Sequence, residues 1–283
     1  MTMITPPSRI KTANLSGRVV AITGAGNGIG RELALLCAAR GADLALCDIN
    51  EAGLADTADR ARARGNDVVT SRVDVADPDQ MIAFAAATHD RFDGVDMVVN
   101  NAGVGLIGGF LDTSLADWEW LVSINLMGVV HGCNAFIPAM VDRGRGGHVV
   151  NLSSAAGLLA NPQLVGYSAT KFAVLGLSEA LRMELDPHGI GVTAICPGVI
   201  NTAITQTSPI RGHNADQRRE NLASTYKKRG YTAERVARNI LRAVDRDRAV
   251  APVAAEAHVM YALSRATPPL ARWVAAKLAS VAK

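Results

Sequence analysis

The chain lacks any block of like charge. Its 29 Lys and Arg and 26 Asp and Glu are dispersed, and the formal net charge is only +3. Without a clustered basic face, nucleic acid is not an expected partner. Cysteine is scarce: Cys37, Cys47, Cys133 and Cys196 form no C-x-x-C pair and lie in apolar or mainly apolar runs. That pattern reads as small buried hydrophobes in a reducing compartment, not as a disulfide framework. The six histidines show no H-E-x-x-H or related ligand spacing, so no metal is expected. No uninterrupted apolar run approaches the ~18 residues that span a bilayer. The N-terminus also lacks the charged-then-apolar order of a secretory signal. These absences leave a soluble cytoplasmic protein, with no integral membrane segment, acting on a small molecule.

What is present is an alternation of strand and helix. The 283 residues, 49% hydrophobic, are enough for one large α/β domain. Short β-branched runs stand at Val19 to Thr23, Leu44 to Asp48, Val68 to Val73, Val95 to Asn100, His148 to Leu152 and Gly191 to Cys196, with Ala249 to Val253 as a possible last strand. Several are unbroken apolar runs, as parallel strands covered on both faces require. Helical patterns fill the gaps at Gly30 to Arg40, Ala52 to Arg64, Gln80 to Arg91, Leu115 to Val141, Val165 to Asp186 and Ala233 to Asp245. Repeated βα units imply right-handed crossovers and a doubly wound parallel sheet of about seven strands with helices on both faces.

The expected organisation is a leader over 1–14, a catalytic domain over 15–253 and a helical extension over 254–283. Met1 to Pro6 resembles the start of a common cloning-vector fusion leader and is set aside. In the tail, Leu270, Trp273, Val274, Leu278 and Val281 fall near one helical face, flanked by Arg272 and Lys277. Such a face can pack on the body, on a second subunit or on a membrane surface. The polar segment Asn201 to Tyr231 follows a strand end, where open α/β sheets bind ligands, and reads either as a substrate lid or as a solvated insertion.

The first strand runs into Thr23-Gly24-Ala25-Gly26-Asn27-Gly28-Ile29-Gly30, and a helix follows. Glycines there allow a tight turn and bring bare backbone up to a pyrophosphate, on which the helix N-terminus presents unpaired N–H groups. Asp48 ends the second strand 18 residues after Gly30, where an acid accepts bonds from ribose hydroxyls. It also repels the 2′-phosphate of NADP: unit charges ~4 Å apart at an effective dielectric of ~20 interact by about 4 kcal/mol. No basic residue follows in Ile49 or Asn50 to offset this, so NAD is expected over NADP.

Tyr167 and Lys171 lie four residues apart on a predicted helix and share a face. A free tyrosine, with a pKa of ~10, is a poor base near neutrality, and a neighbouring ammonium lowers that value. Ser154 stands just past the strand ending at Leu152. Asn125 interrupts the apolar run Leu121 to Val130. Asn100 to Gly103 and Pro197 to Thr202 close two further strands. In this topology all these strand ends meet at one edge of the sheet.

Taken in order, TGAGNGIG, Asp48, Asp74, NNAG at Asn100 to Gly103, Asn125, NLSS with Ser154, YSATK with Tyr167 and Lys171, and PGVINT at Pro197 to Thr202 closely resemble the short-chain dehydrogenase/reductase family in its single-domain form. The resemblance spans roughly Leu15 to Pro252 and implies a Rossmann-like fold. It implies Tyr167 as general acid/base, Lys171 holding the nicotinamide ribose and lowering the tyrosine pKa, Ser154 bonding the substrate oxygen, and Asn125 holding a relay water. It places the dinucleotide against Gly24, Asn27, Gly28, Ile29, Gly30, Asp48 and Ile49. Asp74 and Val75 come at the adenine, Asn101, Ala102 and Gly103 along the adenosine side, and Pro197, Ile200 and Thr202 at the carboxamide. A homodimer or homotetramer through the long helices around Asn125 and Tyr167 is also implied.

Gly105 to Phe110, Ala155 to Gly166 and Thr202 to Tyr231 would line the pocket, and the first two segments are mainly apolar, including Leu106, Phe110 and Leu158. They suggest a hydrophobic, uncharged secondary alcohol or ketone. The rival readings are an NADP-dependent carbonyl reductase on the same fold, a nucleotide-sugar epimerase or dehydratase, and an NAD-binding sensor or scaffold without turnover.

Overall fold

The computed structural model describes residues 10–273 except 201–203, 205–206, 214, 216 and 221–229. Seven parallel strands form one sheet: β1 Val19–Thr23, β2 Asp43–Asp48, β3 Val68–Arg72, β4 Met97–Asn100, β5 Gly147–Leu152, β6 Ile190–Pro197 and β7 Val250–Val253. Their order is β3-β2-β1-β4-β5-β6-β7. The direction of winding reverses between β1 and β4, the crevice where such sheets bind ligands. Burial follows position. β1, β4, β5 and β6 are buried throughout, whereas β3, at one edge, buries only Val68. Pro252 sits in the opposite edge strand, β7, where a missing N–H costs no ladder bond.

The helices are α1 Gly28–Ala38, α2 Glu51–Arg62, α3 Pro78–Arg91, α4 Leu115–Val122, α5 Gly128–Arg143, α6 Val165–Leu185, α7 Ala233–Asp245 and α8 Ala255–Ala266. One core unites Leu33 and Cys37 of α1, Leu54 and Ala58 of α2, and Ile240 and Leu241 of α7 against the sheet. The other unites Met81 and Phe84 of α3, Phe136 and Met140 of α5, and Val174 of α6 against the opposite face. Each fully buried side chain of this size contributes about 1.5–3 kcal/mol by leaving water.

Short polar residues start the helices. Asn50, Asp77 and Thr232 cap α2, α3 and α7, and Ser114 forms a reciprocal capping box with Asp117 at α4. Caps of this kind are each worth about 1 kcal/mol.

The single helix expected over Leu115 to Val141 is observed as α4 and α5 joined by a π turn at Ser123–Met127. The whole run, Leu115–Arg143, is long and apolar enough to cross a membrane. Asn125, His131 and Asn134 punctuate it, which is why no uninterrupted apolar run stands out in the sequence. In this fold Val129, Phe136 and Met140 of the run are packed on the sheet as core. All four cysteines are buried and unpaired. Burial pushes the Cys37, Cys133 and Cys196 thiols up to about 12, and Cys47 moves the same way, so none is poised as a thiolate.

In the tail, α8 lies against β7. Ala271 is buried, whereas Leu270 and Trp273 of the expected apolar face are exposed. The rest of that face, Val274, Leu278 and Val281, lies outside the described residues, as do residues 1–9 of the leader.

Candidate active site

Because every strand is parallel, the C-terminal ends of β1, β2, β4, β5 and β6 share one edge. After β1 the chain turns through Gly24 and Gly28, at φ of +66° and +52°, a region that side chains rarely enter. At Gly30 a Cβ would lie 2.1 Å from the Gly24 carbonyl oxygen, so helix and turn meet backbone to backbone. Asn27 precedes α1, and its side chain makes no cap bond to the helix.

Asp48 braces this turn. Its Oδ2 accepts from the Gly26 N–H at 2.7 Å and its Oδ1 from the Asn50 N–H at 2.9 Å. Ile49 beside it is exposed. Asp74 is exposed after β3, accepting from the Ala76 N–H at 3.0 Å. Val75 is buried beneath, its carbonyl 2.9 Å from Nδ1 of His131. Asn101 donates from Nδ2 to the carbonyls of Thr23 and Gly24, at 2.9 and 3.0 Å. The Thr23 hydroxyl accepts from the N–H groups of both Asn101 and Ala102 at 3.0 Å. Thr23, the last residue of β1, is therefore the pin between the ends of β1 and β4.

The structure brings Lys171, Tyr167, Asn125 and Gly103 together from three elements. Lys171 is buried, with its Nζ donating to the Leu152 carbonyl at 2.8 Å. Burial disfavours its charge and brings its pKa from 10.5 down to about 8. The same Nζ lies 5.6 Å from the centroid of the half-buried Tyr167 ring. Asn125 sits fully buried in the π turn, a local widening common at functional sites. It accepts at Oδ1 from the Val104 N–H and donates from Nδ2 to the Val104 carbonyl, both at 2.8 Å. A Cβ on Gly103 would stand 3.1 Å from Asn125 Oδ1 and 3.5 Å from Lys171 Nζ. Ser154 follows β5, and its Oγ accepts from the Ala156 N–H at 3.1 Å.

Pro197 ends β6, and the Ile200 side chain is buried in the core. Thr202 lies outside the described residues. Between them the Val199 N–H donates to Glu256 Oε1 of α8 at 2.9 Å. Sequence reading missed Glu256, because a lone glutamate 57 residues away gives no local signal.

Leu158 packs with Leu175, Ala194 and Cys196 in a small core, and Phe110 is 66% exposed, edge-on to Trp118. The described arginines of the 201–231 segment bond within the protein. Arg211 pairs with Asp117, Arg218 donates to the Arg211 carbonyl and Arg219 to that of Ser208.

Residues 18–211 match the protein family described as short chain dehydrogenase. Among curated proteins, the chain is 37% identical to the putative oxidoreductase SadH of Mycobacterium tuberculosis over 257 residues, 89% of this chain and 92% of that one. It is 41% identical to the probable oxidoreductase EphD of the same organism over 259 residues, covering 90% of this chain but only 44% of EphD. The chain thus spans less than half the length of that relative. Among solved structures, a short-chain dehydrogenase/reductase from Burkholderia phymatum in complex with NAD superposes with a TM-score of 0.84 at 32% identity, covering 92% of this chain and 96% of that one. Levodione reductase superposes with a TM-score of 0.76 at 30% identity, covering 89% and 100%. The chain belongs to the short-chain dehydrogenase/reductase family and has its Rossmann-like fold.

Proposed function

We propose that the protein transfers a hydride between NAD(H) and a hydrophobic, uncharged secondary alcohol or ketone, with Tyr167 as general acid/base. The observation that carries this reading is the buried Lys171 ammonium, 5.6 Å from the Tyr167 ring centroid and beside Asn125 and Gly103 at the sheet edge.

The Gly-rich turn fits a dinucleotide. Gly30 leaves no room for a side chain, bare backbone faces the start of α1, and Asp48 stands at the end of β2. Gly24, Asn27, Gly28, Ile29 and Gly30 would hold the pyrophosphate, and Asp48 and Ile49 the adenosine ribose. Asp74, Val75 and Asn101 to Gly103 would line the adenosine side, with Pro197, Ile200 and Thr202 at the carboxamide. NAD, when bound, carries the hydride. A relative from Mycobacterium paratuberculosis, 27% identical, was likewise solved bound to NAD, which supports NAD as the cofactor here.

In reduction the Tyr167 hydroxyl delivers a proton to the carbonyl oxygen, and in oxidation it takes one from the alcohol. Ser154 donates a hydrogen bond to that same oxygen. Lys171 favours the phenolate by its charge, and with a pKa brought down to about 8 it can release and regain a proton near neutral pH. Asn125 fixes Val104 and the wall beside Lys171. The pairing of Arg211 with the Asp117 carboxylate supports an uncharged substrate. Self-association as a dimer or tetramer is supported by an apolar hollow on the outer face of α5 and α6, lined by Val130, Ile137, Pro138, Leu177 and Leu181.

The test is a screen at 340 nm of NAD and NADP with hydrophobic secondary alcohols, and of the reduced cofactors with the matching ketones. Turnover with NAD(H) on an apolar pair is expected. A preference for NADP, or for carboxylate-bearing substrates, would overturn the corresponding part of the reading.

A further inference from the structure

The loops after β4, β5 and β6 are bonded into one roof above this edge. The Ile107 N–H donates to the Pro209 carbonyl at 2.9 Å, and the Arg211 N–H donates to the Ile107 carbonyl at 2.7 Å. These bonds form a parallel bridge between Ile107 and Ile210. The Gly108 N–H donates to the Gln163 carbonyl at 2.8 Å, which draws in the loop after β5. The run Val104 to Gly108 is therefore gripped at both ends. At one end Asn125 clasps both backbone groups of Val104. At the other, Arg211 crosses to Asp117, with Nη2 at 2.7 Å from Oδ1 and Nε at 3.1 and 3.2 Å from the two carboxylate oxygens.

Asp117 and Asn125 belong to one continuous helical run, eight residues apart, so a single element holds both grips. Exposed ion pairs usually contribute little, but this one is two-pronged and its carboxylate side chain is only 10% exposed. The carboxylate is also fixed in place, since it accepts from the Ser114 N–H and hydroxyl at the start of α4. The chain is shaped to let Arg211 reach it. A Cβ on Gly108 would lie 3.1 Å from Arg211 Cβ, and Gly212 turns at φ +88° hard against Asp112. The guanidinium beside it holds the Asp117 carboxyl well below the usual carboxylate range, as a fully formed pair should.

We propose that Asp117 and Arg211 are a positioning and specificity-determining pair that latches this roof and sets which substrates the site admits. Closed, the latch consumes the charge of Arg211 and keeps the 208–211 segment on the 104–108 segment. Opened from the Arg211 side, it loosens the roof. Opened from the Asp117 side, it also frees a cation at the entrance. The proposal rests on the oxidoreductase reading for its substrate part, while the latch itself is a property of the fold.

The experiment has two arms. In the first, amide hydrogen exchange is followed at Ile107 and Arg211. Both amides should be protected in the wild type and exchange at least about tenfold faster in Arg211→Gln, with partial recovery in Arg211→Lys, which restores a charge but not the fork. In the second, 2-octanone is compared with 7-oxooctanoate, the same ketone carrying a terminal carboxylate. Asp117→Asn, which keeps an oxygen to cap Ser114, should improve kcat/KM for the carboxylate relative to the neutral ketone by about tenfold. Arg211→Gln should raise KM for 2-octanone by more than it lowers kcat, with no gain for the carboxylate. Unchanged exchange in Arg211→Gln would overturn the latch. Faster exchange with an unchanged ratio between the two ketones in Asp117→Asn would overturn its role in specificity. If the wild type reduces neither ketone, the substrate reading fails, and the exchange arm still decides the latch.

Discussion

The cofactor half and the roof half of this site are built by different means. Between β1 and β2 the chain makes its site from neighbours in sequence and from main chain. Gly24 and Gly28 turn it, Gly30 admits close approach, and Asp48 bonds the Gly26 N–H. Across β4, β5 and β6 the site is made from side chains far apart in the chain. Arg211 meets Asp117 across 94 residues, and Glu256 meets Val199 across 57. The first half tolerates little change because glycine positions leave no volume to give. The second is held by a few polar contacts that can be removed singly. One half of the site is thus held in backbone and the other in side chains on a single scaffold.

Substitutions on either side should separate the two halves. The largest effect is expected from Tyr167→Phe, which removes the proton donor and leaves the Gly-rich turn intact. Turnover should fall by roughly 10²–10⁴-fold while NAD affinity, measured by fluorescence titration, holds. Near wild-type turnover would remove Tyr167 from the acid/base role.

Lys171 gives the next effect, and it appears in stability. Its pKa is about 8 when folded against 10.5 when free. Between those values the unfolded chain keeps a proton that the folded chain has released. Stability therefore rises as pH climbs from about 8 to about 10.5, by up to ~3 kcal/mol, and below pH 8 the folded chain bears the full cost of the buried charge. Denaturant titrations of the wild type minus those of Lys171→Met should show that rise, and a flat difference would refute it.

Gly30→Ala probes the backbone half. A methyl 2.1 Å from the Gly24 carbonyl must push helix and turn apart, costing about 1–3 kcal/mol of stability and weakening NAD binding. Unaltered NAD affinity would mean that the turn is looser than its geometry implies. The smallest effect is the change of preference in Asp48→Ala. The ratio of kcat/KM for NADP to that for NAD should rise by tenfold or more once the carboxylate no longer faces the 2′-phosphate. An unmoved ratio would assign cofactor choice to another residue.

The legibility of the chain follows the same division. Strand positions were readable because buried parallel strands are continuous apolar runs, and α7 matches its expected span, Ala233 to Asp245, end to end. Asn125 stood out as a polar residue in an apolar run, but not the π turn that carries it, since widening by one residue leaves composition unchanged.

The sequence by itself determined what depends on local backbone chemistry: the order of strands and helices, the glycine turn, the acid ending β2, and the Tyr167–Lys171 spacing along one helical face. The tertiary structure alone decided what depends on distance through space. It set the burial that lowers the Lys171 pKa, the clasp of Asn125 on Val104, the hold of Glu256 on the loop after β6, and the pairing of Arg211 with Asp117. Folding creates these contacts between residues whose separation along the chain carries no record of them.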